Sequence, residues 1–148
     1  MTVNVSRAST KDAEGIAGLF NQYRLFYKQP SNIEAAKQYI TTRIERNESV
    51  IFMVREKGVV HGFVQLYPSF SSISLRRTWI LNDLYVEESA RRRGIGQSLL
   101  DKVRQFALET EAASISLQTA PTNQTAQALY ERNGYIVDQT YLNYSLSL

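Results

Sequence analysis

The sequence predicts an α/β (α+β) fold, with a mixed, mostly antiparallel sheet flanked by about four helices. Three observations carry this. Apolar residues switch between strand and helix periodicity in the order β-α-α-β-β-β-α-β-α-β-β. Residues 50–55 and 59–67 are apolar runs on either side of Lys57-Gly58, which reads as a hairpin. An amphipathic helix from Gly94 connects two further strand-like segments. No repeat, low-complexity tract or linker interrupts the chain. Its 148 residues are therefore expected to form a single domain, 1–148, with a sizeable core.

Taken in order, residues 3–7 alternate as a first strand. Ser9, Thr10 and Asp12 offer helix-start chemistry. Ala13, Ile16, Ala17, Phe20, Tyr23 and Tyr27 recur at helical spacing in a first helix that ends before Pro30. Ser31 and Glu34 match a capping box, followed by the stripe Ile33, Ala36, Ile40 and Ile44. After the hairpin, residues 68–72 read as a polar connection and 73–86 as a long strand. The helix over 94–109 puts Ile95, Leu99, Leu100, Val103, Phe106 and Ala107 on one face. Residues 114–119 alternate as a strand. A short helix spans 123–133, with Gly134 just past its end. Residues 135–137 and 141–148 read as final strands.

Composition narrows the function. The chain lacks cysteine and has one histidine. That rules out a disulfide framework, a thiolate metal site, a cysteine nucleophile and a histidine-rich metal centre. The start MTVNVSRAST lacks the apolar core of a signal peptide, and no apolar run approaches a membrane span. A cytoplasmic protein without a metal is expected. The net charge of +3 suits an anionic ligand, although the only short basic run is Arg91-Arg92-Arg93, a poor footprint for nucleic acid.

That run opens the most informative stretch, WILNDLYVEESARRRGIGQSLL. An apolar strand feeds a glycine turn at a helix start, where backbone amides converge and the helix dipole favours anions. The spacing does not match a P-loop, and Leu99 occupies the third glycine position of a dinucleotide fingerprint. What remains is R-x-x-G-x-G from Arg91 to Gly96. A second stretch, Asn123 to Tyr135, reads N-x-x-A-x-x-L-Y-x-x-x-G-Y. On these two motifs and the element order, the chain resembles the GCN5-related N-acetyltransferase (GNAT) superfamily. The Tyr23–Pro30 run and LYPSFSSISLRRTWILNDLYV also resemble the subgroup with yeast histone and polyamine acetyltransferases.

The resemblance implies acetyl-coenzyme A as co-substrate. Arg91, Arg92, Arg93, Gly94, Ile95, Gly96 and Gln97 would surround its pyrophosphate. Backbone groups of Leu84, Tyr85 and Val86 would pair with its pantetheine arm and thioester. Asn123 would hydrogen-bond that arm, and Tyr130 would stand near the sulfur as general acid. From the residues alone, Asn123 also suits a helix N-cap and Tyr130 also suits core packing. Tyr27 and Phe70 are candidates for an aromatic wall around a cationic amine. The resemblance also implies a homodimer, to which the alternating 141–148 strand could contribute.

Amine acetylation needs a base, because an alkylamine with a pKa of about 10 is mostly protonated at neutral pH. Asp83, a carboxylate inside an apolar strand, must have a reason to be there. It reads as a base or amine anchor, or as a structural partner. Polyamine acetyltransferases often carry an acidic residue just before this aspartate, where this chain has Asn82. A water chain and His61 are the other candidate bases. The expected activity is acetyl transfer to a primary amine, on a small molecule such as a polyamine or amino acid derivative. The alternatives are transfer to a protein lysine or N-terminus, and a coenzyme A-binding module without catalysis.

Overall fold

The computed structural model describes residues 3–148, and the first two residues lie outside it. The chain forms two compact units, Met1–Gln118 and Thr119–Leu148. The first unit contains β1 (Val5–Arg7), α1 (Ala13–Phe26), α2 (Ile33–Glu45), β2 (Val50–Glu56), β3 (Val59–Ser71), β4 (Arg76–Val86), α3 (Ile95–Glu109) and β5 (Ile115–Ser116). The sheet order is β1-β2-β3-β4-β5. Neighbours pair antiparallel except β4 and β5, which run parallel through the α3 crossover.

Local chemistry explains the boundaries. Lys57 and Gly58 both take positive φ, 51° and 80°, as a two-residue hairpin turn requires. The start of α2 differs from expectation. Asn32, not Ser31, is its cap, and its side-chain oxygen accepts the Ala35 N–H at 3.0 Å. Ser31 is drawn instead to the buried Asn21 of α1, accepting from its Nδ2 at 3.0 Å. A buried carboxamide must be satisfied, and that need overrides the local capping pattern.

The expected polar connection over residues 68–72 is also corrected. Pro68 to Ser71 continue β3 and pair with Arg76 to Trp79 of β4. Pairing with β2 stops at Leu66, so Pro68 sits where β3 has a partner on one side only, and its missing N–H costs no ladder bond. The turn falls at 72–75, with Leu75 at φ 58°. The strand expected over 114–119 shortens to Ile115–Ser116.

Both faces of the central sheet are covered, which is why β2 is buried from Val50 to Val54 without alternation. Ile51, Met53 and Phe63 pack with Ile16, Phe20 and Ile40 of α1 and α2. On the other face, Phe106 of α3 meets Phe52 at 5.3 Å and Trp79 at 5.1 Å between ring centroids. Gly62 of β3 is needed for close packing, because a Cβ there would lie 2.8 Å from Ile95 Cγ2 and 3.3 Å from the Tyr85 carbonyl.

The second unit contains α4 (Gln124–Arg132). Asn123 caps it, accepting the Ala126 N–H at 3.2 Å. It closes in a Schellman motif: Tyr135 N–H bonds the Tyr130 carbonyl at 3.1 Å, Gly134 N–H bonds that of Glu131 at 3.1 Å, and Gly134 has φ 89°. The strands expected over 135–137 and 141–148 do not form among the described residues. Asp138 turns the backbone by accepting the N–H groups of Thr140 and Tyr141 at 2.8 and 3.3 Å. Alternation specifies a face but does not supply the partner edge that a strand needs.

Candidate active site

The site in the first unit is organised by β4. Its parallel pairing with β5 covers only Trp79 and Ile80. From Leu81 to Val86 the strand continues with β3 alone. This leaves one backbone edge of Leu84, Tyr85 and Val86 without a strand partner among the described residues. The β3–β4 register slips once: Gln65 faces Asp83 while Leu66 faces Leu81, so Asn82 bulges out of the ladder.

The bulge sets the direction of Asp83. Phe63, Gln65, Asp83 and Tyr85 share the sheet face beneath α1, by register and alternation. Asp83 is 4% exposed. Its Oδ2 accepts Gln65 Nε2 at 2.7 Å, and its Oδ1 accepts Asn82 Nδ2 at 3.1 Å. The Tyr23 phenol of α1 lies beside them, with its hydroxyl 3.4 Å from the Asn82 carbonyl. Burial pushes the Asp83 carboxyl above the usual carboxylate range, while the hydrogen bonds from Gln65, Tyr23 and Asn82 oppose that shift. Burial, and then the negative charge of Asp83, push the Tyr23 phenol well above an ordinary tyrosine. Tyr67 shifts the same way through burial, its 2.6 Å bond to the Tyr39 hydroxyl, and Asp83. No cation contacts the Asp83 carboxyl among the described residues, and its partners are all neutral dipoles.

The glycine turn lies at the start of α3. Arg92 and Gly94 both take left-handed φ, 66° and 79°. The first bond that carries the helix back to the turn is Ser98 N–H to the Gly94 carbonyl at 3.0 Å, so the Ile95 and Gly96 amides have no intrahelical acceptor. A Cβ at Gly94 would meet nothing within 4 Å, so space is open beside the turn. Amides at a helix start with Arg92 beside them make a donor set suited to a diphosphate.

The other two arginines already have partners. Arg91 Nε donates to the Val86 carbonyl at 3.0 Å, and its guanidinium lies 5.6 Å from the Tyr85 ring centroid. Arg93 Nη2 binds Glu56 at 2.6 Å, which holds that carboxylate below its usual range. His61 joins this network, with Nε2 3.5 Å from Glu56 and Nδ1 hydrogen-bonded to Glu87. It braces the β2–β3 hairpin against the residues after β4. Gln97 Nε2 bonds Asp101 along α3 at 2.8 Å.

In the second unit, Asn123 spends its side-chain oxygen on the α4 cap. The ring of Tyr130 packs 5.8 Å from that of Tyr135.

The chain has counterparts among known proteins. A profile of the Acetyltransferase (GNAT) family matches residues 16–135. The chain belongs to that family. This acetyltransferase is 44% identical to the uncharacterized N-acetyltransferase YhfO of Bacillus subtilis, over 99% of this chain and 98% of that protein. It is 28% identical to the D-amino-acid N-acetyltransferase HPA3 of Saccharomyces cerevisiae, over 91% and 86%. The crystal structure of a probable acetyltransferase superimposes with a TM-score of 0.93 at 41% identity, covering 98% of this chain and 97% of that one. The fold is that of the family, and the protein is an N-acetyltransferase.

Within the acetyltransferase, Asp83, the β4 edge and the glycine turn come together in one unit. Phe70 does not join them. It pairs with Arg77 five residues further along β3 from Gln65, roughly 16 Å by strand rise, and its ring carries the Arg77 guanidinium at 4.7 Å. Tyr27 does approach: it follows α1 and its ring lies 5.0 Å from that of Tyr23. Sequence reasoning missed Gln65 and the role of Tyr23. One signal was present, since Gln65 and Asp83 are both polar residues inside apolar strands that the hairpin order makes neighbours. Among the described residues, no cluster of three or more His, Cys, Asp or Glu could hold a metal ion, and no helix is long and apolar enough to cross a membrane.

Proposed function

We propose that the protein transfers the acetyl group of acetyl-coenzyme A to a primary amine of a small molecule, by direct attack in a ternary complex. The observation that carries this reading is Asp83, a buried carboxylate held by neutral donors at the point where β4 loses its second partner strand. A carboxyl in that setting can take a proton from an ammonium group and become neutral, which relieves its own burial cost. In this reading the amides of Ile95, Gly96 and Gln97, with Arg92, hold the pyrophosphate. The edge of Leu84, Tyr85 and Val86 holds the pantetheine arm, Asn123 adds a bond to it, and Tyr130 protonates the departing thiolate. The two compact units then act as one catalytic domain, working as a homodimer. Tyr23 and Tyr27 give the acceptor site an aromatic character that suits a cation. A yeast relative named for D-amino-acid acetylation supports an amino acid derivative as acceptor, and a polyamine and the yeast histone and polyamine subgroup stay part of this proposal on the sequence resemblance alone.

The test is a thiol-release assay with acetyl-coenzyme A against amino acids, polyamines, aminoglycosides and lysine peptides. Turnover is expected with small primary amines and not with peptides. Peptide turnover alone would reassign the acceptor. Gly96→Glu, which sets a carboxylate at the turn, is expected to abolish cofactor binding in a titration. Unchanged affinity would remove the pyrophosphate from this turn.

A further inference from the structure

A second group of charges, centred on His61, holds the approach to the glycine turn. The β2–β3 register slips at this residue: Val54 faces Gly62 while Arg55 faces Val60, so His61 bulges out of the ladder. A bulge re-aims its side chain, and here the ring meets the segment after β4. His61 grips Glu87 twice. Its carbonyl accepts the Glu87 N–H at 2.9 Å, and its Nδ1 is hydrogen-bonded to the Glu87 carboxylate. Its Nε2 lies 3.5 Å from Glu56 Oε1, and that same oxygen accepts Arg93 Nη2 at 2.6 Å. Segment 87–93 is thus tied to the hairpin at both ends, by β3 at Glu87 and by β2 at Arg93.

Between those ties Arg92 takes φ 66°. A non-glycine residue in the left-handed region is strained, and it persists where its surroundings hold it. Gly94 follows and caps α3. We propose that His61 and Glu56 are positioning residues for the pyrophosphate turn, and that their brace is closed when the His61 ring is protonated. This rests on the reading above in which that turn holds the pyrophosphate of acetyl-coenzyme A.

The ring chemistry gives the brace its dependence on pH. Each ring nitrogen has a carboxylate oxygen as neighbour. An imidazolium donates from both nitrogens, whereas a neutral imidazole donates from one and presents a lone pair from the other. Only the protonated ring closes both links. The charged groups around it are Glu56 of β2, Lys57 in the hairpin turn, Glu87 after β4 with the exposed Glu88 next in the chain, and Arg93 before α3. Carboxylates, lysines and arginines ordinarily keep their charge between about pH 6 and 8, and histidine does not. As pH rises through that range the group loses one positive charge. One carboxylate is left facing a lone pair, and negative charge grows beside the seat of an anionic ligand. Both changes weaken binding, so the brace contributes at acidic pH and its contribution fades toward alkaline pH.

The test is calorimetric titration of tag-free protein with acetyl-coenzyme A at pH 6 and pH 8, using wild type, His61→Gln, Glu56→Gln and Gly96→Glu. Dividing the His61→Gln dissociation constant by that of wild type removes the effect of the ligand's own phosphate titration. The ratio is expected to be about ten at pH 6 and about one at pH 8. Glu56→Gln should weaken binding at pH 6 in the same way. The chain has a single histidine, so ring-nitrogen NMR shifts give an independent readout on the wild-type protein. By reciprocity, saturating acetyl-coenzyme A should keep that ring protonated to higher pH. A ratio that is the same at both pH values marks a merely structural histidine and overturns the proposal, as does a ring whose protonation ignores the cofactor. Tighter binding in Glu56→Gln would show that Glu56 withholds Arg93 from the ligand, and overturns its part in positioning. Undiminished binding in Gly96→Glu overturns instead the reading beneath, that the turn holds the pyrophosphate.

Discussion

Asp12 and Asp83 are both buried carboxylates, and the chain treats them differently. Asp12 stands before α1 and has Arg55 at 3.0 Å, with the Ser9 N–H at 2.8 Å. A full positive charge and a backbone amide settle it, and it pins the start of α1 onto β2. Asp83 has only neutral donors and lies deeper. A charge that is paired can be purely structural, whereas one left with dipoles keeps a residual cost and remains ready to accept a proton. The difference teaches where to look for chemistry: at the carboxylate whose environment is incomplete.

The largest effect should be on turnover. Asp83→Asn is expected to reduce acetyl transfer about 10²–10⁴-fold, while Asp12→Asn leaves kcat within a few-fold, measured on the same amine. Equal losses would erase the distinction between the two residues. Next comes stability. Asp12→Ala should destabilise the fold by about 1–3 kcal/mol in denaturant melts, discounted because Arg55 is one-third exposed and can turn to water. Asp83→Asn should act in the opposite direction, raising the melting temperature at neutral pH by less than Asp12→Ala lowers it. The sign follows from linkage. The folded-state pKa of Asp83 is raised by burial, so its contribution to stability is present below the ordinary carboxylate range and is lost as pH rises through the raised value. The advantage of the asparagine should therefore disappear on acidification, and an advantage independent of pH would contradict the burial argument. The smallest effect belongs to Phe70→Ala. Its exposed contact with Arg77 is worth about 0.5–1 kcal/mol, and turnover should not change.

Much of the molecule is legible in the sequence where its determinants are local. The α3 start is set by two glycines and an apolar face, and the α4 end by Gly134. The hairpin follows from Lys57-Gly58. What is not legible depends on register. Whether Asp83 faces α1 or α3 depends on a single bulged residue, Asn82, because a shift of one position turns every side chain over. The partners Gln65 and Tyr23 follow from that choice. Arg91 and Arg93 read as phosphate ligands, and that reading says nothing of their carbonyl and carboxylate partners, 5 and 37 residues away. The tail over 141–148 has the alternation of a strand, but a ladder needs two edges.

Gly62 has a wider consequence. It sits where β3, the Tyr85 carbonyl and the first residue of α3 converge. The spacing between the backbone edge of β4 and the amide-lined turn is thus gauged by the absence of a single carbon atom. A methyl group there would press on Ile95, the Tyr85 carbonyl and the Val86 side chain, and so wedge apart the two elements proposed to hold one elongated molecule. The calibration of the instrument is kept in a hairpin that never meets what it measures.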